Sequence, residues 1–412
     1  MSCLHYQANE LYIENVNLKT IAEEFGTPCY VYSRAAIISH WEAFHQAFNP
    51  IPHNICYAVK ANSNIAILRI LANLNSGFDI VSVGELERVI LAGGNPDKIV
   101  FSGVGKSAYE IEKAIEKNIF CFNVESEPEL ERLALIAAQQ NKIINIALRI
   151  NPDINPQTHS HITTGKKENK FGIEMDDIIP ICQQLSSLPQ LKLIGLASHI
   201  GSQITELEPF ILAINHLIKL YQKLKRMGFN IQHINIGGGL GITYSNEHPP
   251  SIQEYAYAIK EKITNYPVEI IVEPGRSIVG NAGILLTRVE YLKQTNHKNF
   301  AIVDAGMNDL LRPALYQAWQ NILPVVQYPA EKKSYDIVGP VCESADFLGI
   351  DRELAIQSND LLAIDSAGAY GFCMSSNYNS RYRAAEVLVD DKQTHLIRRR
   401  ESLSDLIALE KF

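Results

Sequence analysis

Ile55-Cys56-Tyr57-Ala58-Val59-Lys60-Ala61-Asn62 is an apolar run that ends in a lysine, with a helix-like segment after it. A short uninterrupted apolar run reads as a strand buried on both faces, and here the lysine leaves its C-terminal end. An ammonium at that point must be paired, covalently used, or carried to the surface on its aliphatic stem. Desolvation also moves the amine towards its nucleophilic free base. The local sequence is compatible with either snorkelling or chemistry, so the rest of the chain has to decide.

The same pattern recurs along the chain. Residues 77–82, 99–103, 121–125, 144–151, 193–201, 233–239 and 269–275 are β-rich runs like 55–60. Between them lie helix-like stretches such as 83–92, 127–139 and 206–227, with apolar spacings of three and four. Eight such units predict an α/β fold, a closed (β/α)8 TIM barrel, placed at residues 33–276. An open doubly wound sheet is the alternative, although it does not normally need eight. After residue 277 the runs 284–291, 300–304, 335–338, 361–365 and 384–389 are strand-like, with Gly, Pro and Asn clusters between them. They predict a second, mostly antiparallel β domain. The strand-like residues 11–13 and 29–32 flank a short helix at 18–25, so segment 1–32 is grouped with 277–412.

Composition removes several classes of function. The chain has 412 residues, 46% of them hydrophobic, enough for a large core and two domains. Net charge is −8, and the one basic run, Arg398-Arg399-Arg400, is too short for a nucleic-acid footprint. No apolar stretch approaches the roughly 20 residues of a membrane helix, and no export signal is visible, so a cytoplasmic location is expected. The seven cysteines, at 3, 29, 56, 121, 182, 342 and 373, include no Cys-x-x-Cys pair. Neither a zinc site nor a disulfide framework is expected, and Cys56 and Cys373 read as buried, inert thiols.

In a barrel, the C-terminal strand ends converge on one mouth. These ends carry Lys60, Asp79 and Ser82, Glu125, Arg149, His199 and Ser202, the triplet Gly237-Gly238-Gly239, and Glu273-Pro274-Gly275-Arg276. Singly, each has an ordinary structural explanation; together they place an amine, an imidazole, an acid and an anion cradle at one end of one scaffold. The triplet is not a dinucleotide fingerprint, which would need glycine where Ile242 stands. Gly105-Lys106-Ser107 looks like the end of a P-loop, but the required earlier glycine falls on Val100. Consecutive glycines let the backbone approach an anion, and Ser202 and Arg276 could add a hydroxyl and a guanidinium. A phosphosugar barrel would use the triplet equally well. Adding the lysine and an acid fits pyridoxal 5'-phosphate, with Lys60 as Schiff-base lysine, Glu273 keeping the pyridine nitrogen protonated, and the His199 ring stacked on the cofactor.

The chain resembles the diaminopimelate decarboxylases, of the alanine-racemase-like, fold-type III group of pyridoxal enzymes, over essentially its whole length. The motifs that carry the likeness are 57–62, His159 to Gly165 with Lys170-Phe171-Gly172, His199-Ile200-Gly201-Ser202-Gln203, 237–241 and 273–276. Asp304-Ala305-Gly306-Met307-Asn308-Asp309, Cys342-Glu343-Ser344-Ala345-Asp346 and the stretch from Ala369 to Asn379 complete them. The resemblance implies decarboxylation of meso-2,6-diaminopimelate at its D-centre to L-lysine and carbon dioxide, the last step of lysine biosynthesis. It implies Lys60 as the cofactor lysine and Cys342 as the acid that reprotonates the reacting carbon. Arg276, Arg312, Tyr316, Glu343 and Tyr378 would hold the substrate, with Gly275, Arg276 and Tyr378 also near the cofactor. It further implies a homodimer with shared active sites, which Cys342 and Glu343 enter from the partner subunit; no metal, nucleic acid or membrane is implied.

The chemistry of the substrate agrees, because its non-reacting end presents a carboxylate suited to Arg276 and Arg312 and an ammonium suited to Glu343. Related decarboxylases of ornithine, arginine or carboxynorspermidine share the lysine, histidine, glycine and glutamate parts but have no use for Arg312. A racemase would lack the Cys-Glu element, and a non-catalytic pyridoxal-binding homologue would be expected to have lost Lys60 or Cys342. Tyr382 departs from the family, which usually has proline there, and is expected to alter only a local turn. His159 to Lys170 reads as a lid or an ordinary surface loop.

Overall fold

The computed structural model describes residues 3–154, 165 and 169–411; His159 and most of the expected lid lie outside them. The chain forms two compact units, one of Met1–Ser39, Thr243–Glu247 and Ile278–Phe412, the other of His40–Ile242 and His248–Ser277.

The second unit is the expected barrel. Its strands are β1 (His53–Ala58), β2 (Gly77–Ile80), β3 (Ile99–Phe101), β4 (Cys121–Val124), β5 (Ile144–Asn151), β6 (Leu191–Ala197), β7 (His233–Asn235) and β8 (Glu269–Val272). Neighbours pair in parallel, β8 lies beside β1, and β4 pairs with β5 with Phe122 opposite Ile146. That last pairing closes the ring. Cys56, Val100, Cys121, Ala147, Ile194 and Ile271, from six of these strands, form one fully buried cluster. Deep burial of each large aliphatic side chain stabilises by roughly 1.5–3 kcal/mol.

Serines start several of the outer helices. Ser82 caps helix Val83–Leu91 by accepting the Glu85 N–H, and Ser126 does the same for Glu127–Gln139. Ser107 and Ser251 form capping boxes with Glu110 and Glu254. The Gly-Lys-Ser run is thus a helix start.

Strands end earlier than the apolar runs suggest. β1 stops at Ala58 and the chain turns through a 3-10 segment, Val59–Ala61, which carries Lys60. β6 stops at Ala197, short of His199. At the mouth the backbone leaves the ladder, which turns these side chains inward instead of alternating them.

The other unit is built on the long strand Gly283–Gln294, which pairs antiparallel with Asn299–Val303, Leu361–Ile364 and Cys29–Ser33. Ala385–Asp390 joins Cys29–Ser33 in parallel and Gln393–Arg398 in antiparallel register. The remaining pairings are antiparallel apart from Asn299–Val303 with Lys333–Val338. Leu11, Ile13, Leu18 and Ile21 pack against Ile284, Leu286 and Val387 in its core. Among the described residues no helix is long and apolar enough to cross a membrane.

Candidate active site

At the barrel mouth a cavity of about 170 Å³ is lined by Lys60, Asn123, Arg149, His199, Asn235 and Glu273, among others. A hollow of about 530 Å³ beside Trp319 and Arg352 is larger but holds no acid–base set. Chemistry, not size, picks out the mouth.

Lys60 Nζ donates to Asp79 Oδ2 at 2.6 Å, and Asp79 is fully buried. Glu273 comes off the end of β8 into the same space. Its Oε1 accepts from Asn235 Nδ2 at 2.6 Å and from Asn123 Nδ2 at 3.4 Å. Burial, and then the charge of Asp79, push its carboxyl up to about 7, against the opposing influence of Lys60, Asn235 and Arg149. The His199 imidazole is held well below its ordinary value by burial, then by Arg149 and Lys60, so it stands neutral. Its Nδ1 accepts the Gly238 N–H at 3.2 Å.

The glycine triplet sits between these groups. A Cβ on Gly238 would lie 2.1 Å from the Glu273 carbonyl oxygen, and Gly237 and Gly239 have φ of 69° and 110°. No other residue allows β7 to turn so close to β8. The Gly237 N–H donates to Asn235 Oδ1 at 2.8 Å, so with Gly238 on His199 two of the three amides have partners inside the protein. Arg276 Nη2 donates to Ser202 Oγ at 3.0 Å, joining the two expected anion ligands. Gly275 packs against Ala58 and Ala61, where a Cβ would crowd the Lys60 turn.

Asn123 Oδ1 and Ser198 Oγ are buried in this cavity wall and find no hydrogen-bond partner among the described residues. Buried polar atoms are seldom left so, and a polar ligand with ring heteroatoms would satisfy them. The donor set of an amine, a deep acid, a neutral imidazole and a hydroxyl–guanidinium pair fits pyridoxal phosphate.

The other expected residues belong to the β unit. Arg312 begins the short helix Arg312–Tyr316, is buried, and stacks 4.4 Å above the Tyr244 ring. Cys342 and Glu343 are exposed in one loop, where the Cys342 N–H donates to Asn379 Oδ1 at 2.7 Å. Tyr378 lies in the 3-10 turn Tyr378–Ser380, about half exposed. Asp346 holds this loop through the Met307 and Val341 N–H groups.

Cys56 is buried, and burial raises its thiol well above the ordinary value, as suits an inert group. Cys373 is exposed, contrary to expectation. It sits in the turn Phe372–Met374, where the flanking Phe372 and Met374 are partly buried and the Phe372 ring stands edge-on to Tyr30. Asn123 and Asn235, which hold Glu273, were missed. Asn235 is at a strand end two residues before Gly237, and counting back from the triplet would have found it.

The pyridoxal-dependent decarboxylase, pyridoxal binding domain family model matches residues 34–280. A diaminopimelate decarboxylase of Vibrio cholerae is 54% identical across 100% of this chain and 99% of its own length. The crystal structure of diaminopimelate decarboxylase from Helicobacter pylori, complexed with L-lysine, superposes with a TM-score of 0.93 at 42% identity, covering 96% of this chain and 99% of that one. The M. jannaschii enzyme, also with L-lysine, gives 0.95 at 38%, covering 99% and 98%.

Proposed function

The chain belongs to the diaminopimelate decarboxylases, pyridoxal-dependent carboxy-lyases, and from that premise we propose that it decarboxylates meso-2,6-diaminopimelate at the D-centre with pyridoxal 5'-phosphate attached to Lys60. The observation that carries the reading is the convergence of Lys60, Glu273 and His199 on one cavity at the barrel mouth.

When bound, the cofactor supplies a protonated pyridine ring that accepts the electron pair left on the substrate carbon as carbon dioxide departs. The protein positions and protonates. Glu273, anchored by Asn235, holds the proton at the ring nitrogen. The neutral His199 ring, in the same cavity, would supply a face for the cofactor ring and would add no charge to compete with that proton. Ser202, Arg276 and the glycine turn hold the phosphate. Cys342 returns a proton to the reacting carbon, and Arg276, Arg312, Tyr316, Glu343 and Tyr378 bind the distal amino-acid group. In a homodimer, the partner's Cys342 and the partner's Glu343 serve this pocket. The ornithine, arginine and carboxynorspermidine reading is not favoured, because the full-length relatives at this identity are diaminopimelate decarboxylases.

The deciding experiment measures carbon dioxide release from meso-, LL- and DD-diaminopimelate beside ornithine, arginine and lysine. Release from the meso compound alone is expected. Release from ornithine without release from meso-diaminopimelate would overturn the substrate assignment.

A further inference from the structure

Lys106 has no part in the reaction as proposed, yet it is 3% exposed. An ammonium at that depth needs its protons bonded, and Nζ donates to Gly103 O at 2.8 Å, Asn123 O at 2.7 Å and Glu129 Oε1 at 2.7 Å. The other Glu129 oxygen accepts the Glu125 N–H at 2.9 Å. The pair therefore pins the turn between β4 and the helix Glu127–Gln139.

Glu125 carries the constraint onward. Its carboxylate accepts from Gly103 N at 2.8 Å, Gly172 N at 3.2 Å and Arg149 Nη1 at 2.7 Å. The Arg149 guanidinium lies 5.1 Å from the Phe171 ring and forms part of the cavity wall with Lys60, His199 and Glu273. Four buried charged groups thus run in line from the Gly-Lys-Ser loop to the pocket. A buried ion pair seldom adds stability over apolar residues of similar size, so stability alone gives little reason for Lys106 and Glu129. Fixed geometry gives a better one.

We propose that Lys106 and Glu129 are positioning residues for Arg149: by fixing Glu125, they set where the guanidinium stands against the cofactor pocket. This rests on the reading of that pocket as a pyridoxal phosphate site.

The test titrates cofactor-free protein with pyridoxal 5'-phosphate and reads the dissociation constant by absorbance, with thermal unfolding as a check of folding. Four proteins are compared: wild type, Lys106→Met/Glu129→Leu, Arg149→Lys, and all three changes together. The double variant is expected to bind about tenfold more weakly, and the triple variant no more weakly than Arg149→Lys alone, because effects on one shared geometry do not add. A purely structural role would shift the unfolding temperature and leave the dissociation constant unchanged. Wild-type affinity in the double variant, or losses that multiply in the triple, would overturn the proposal. If the double variant does not fold, Glu129→Gln takes its place, with an expected loss of about threefold, and unchanged affinity there is equally fatal. Failure of the wild type to take up pyridoxal phosphate would remove the pocket reading and this inference together. Equal uptake by wild type and variant removes the inference alone.

Discussion

The backbone N–H of Cys342 donates to Oδ1 of Asn379 at 2.7 Å, and Asn379 directly follows Tyr378. Asn379 has φ of 55°, a left-handed conformation that asparagine tolerates better than most residues. One side chain thus ties the loop of the proposed proton donor to the turn of a proposed substrate contact. Asn379→Gly keeps the backbone shape and deletes the bond, a net loss of about 1 kcal/mol. Single-turnover product formation should slow a few-fold with little change in KM, and Cys342→Ala should slow it further. An unaltered rate in Asn379→Gly would show that the tie has no functional weight.

Lys60→Ala should abolish covalent cofactor attachment and lower turnover by at least about a thousandfold. Borohydride treatment followed by peptide mass analysis checks attachment at Lys60 directly. Ordinary activity in this variant would remove the central assignment.

Glu273→Gln should still bind cofactor, because the phosphate contacts remain, but the ring nitrogen loses its anionic partner. A cost of ~3 kcal/mol or more in the barrier is expected, a rate loss above about a hundredfold. Steady-state kcat beside the visible spectrum separates the two effects. Loss of the bound cofactor together with its spectrum would assign Glu273 to binding instead.

Arg312→Ala should raise KM for diaminopimelate about tenfold or more while sparing cofactor uptake, since a charged hydrogen bond contributes about 1.5–3 kcal/mol. Arg312→Lys should recover little, because the planar fork stacked over Tyr244 is lost. An unchanged KM in Arg312→Ala would count against its role.

His233 predicts the acid limb of stability. Its ring is buried in the space that Gly195 leaves open, against Phe120, and burial pushes its pKa from 6.5 down to about 4. Between those values the unfolded chain binds a proton that the folded chain does not, so stability falls as pH falls. The loss is about 3 kcal/mol in full and about 2 kcal/mol by pH 5. His233→Leu should show a smaller drop in urea midpoint between pH 7 and pH 5. An identical drop would move the acid sensitivity elsewhere.

The barrel was legible because eight β-rich runs alternate with helix-like stretches, and a (β/α)8 mouth gathers the polar groups that several of those strand ends carry. Lys60, His199 and Glu273 were readable for that reason. Asn123 and Asn235 were less so, since an amide inside a strand looks like any polar interruption until the carboxylate that it holds is in view. Cys373 was misjudged because local sequence does not say which residue of a 3-10 turn faces solvent; Phe372 and Met374 are partly covered and Cys373 is left outside.

By itself the sequence determined which functional groups are available, how many strand–helix units carry them, and where glycine permits a close turn. The tertiary structure alone decided that Lys60 meets Asp79, that Arg149 meets Glu125, and that Lys106 is buried against Glu129. These pairings join neighbouring strands and loops, so their distances are set by barrel register and closure, not by spacing along the chain. The protonation of Glu273 and His199 follows from burial and from the charges placed around them, and both exist only once the ring has closed.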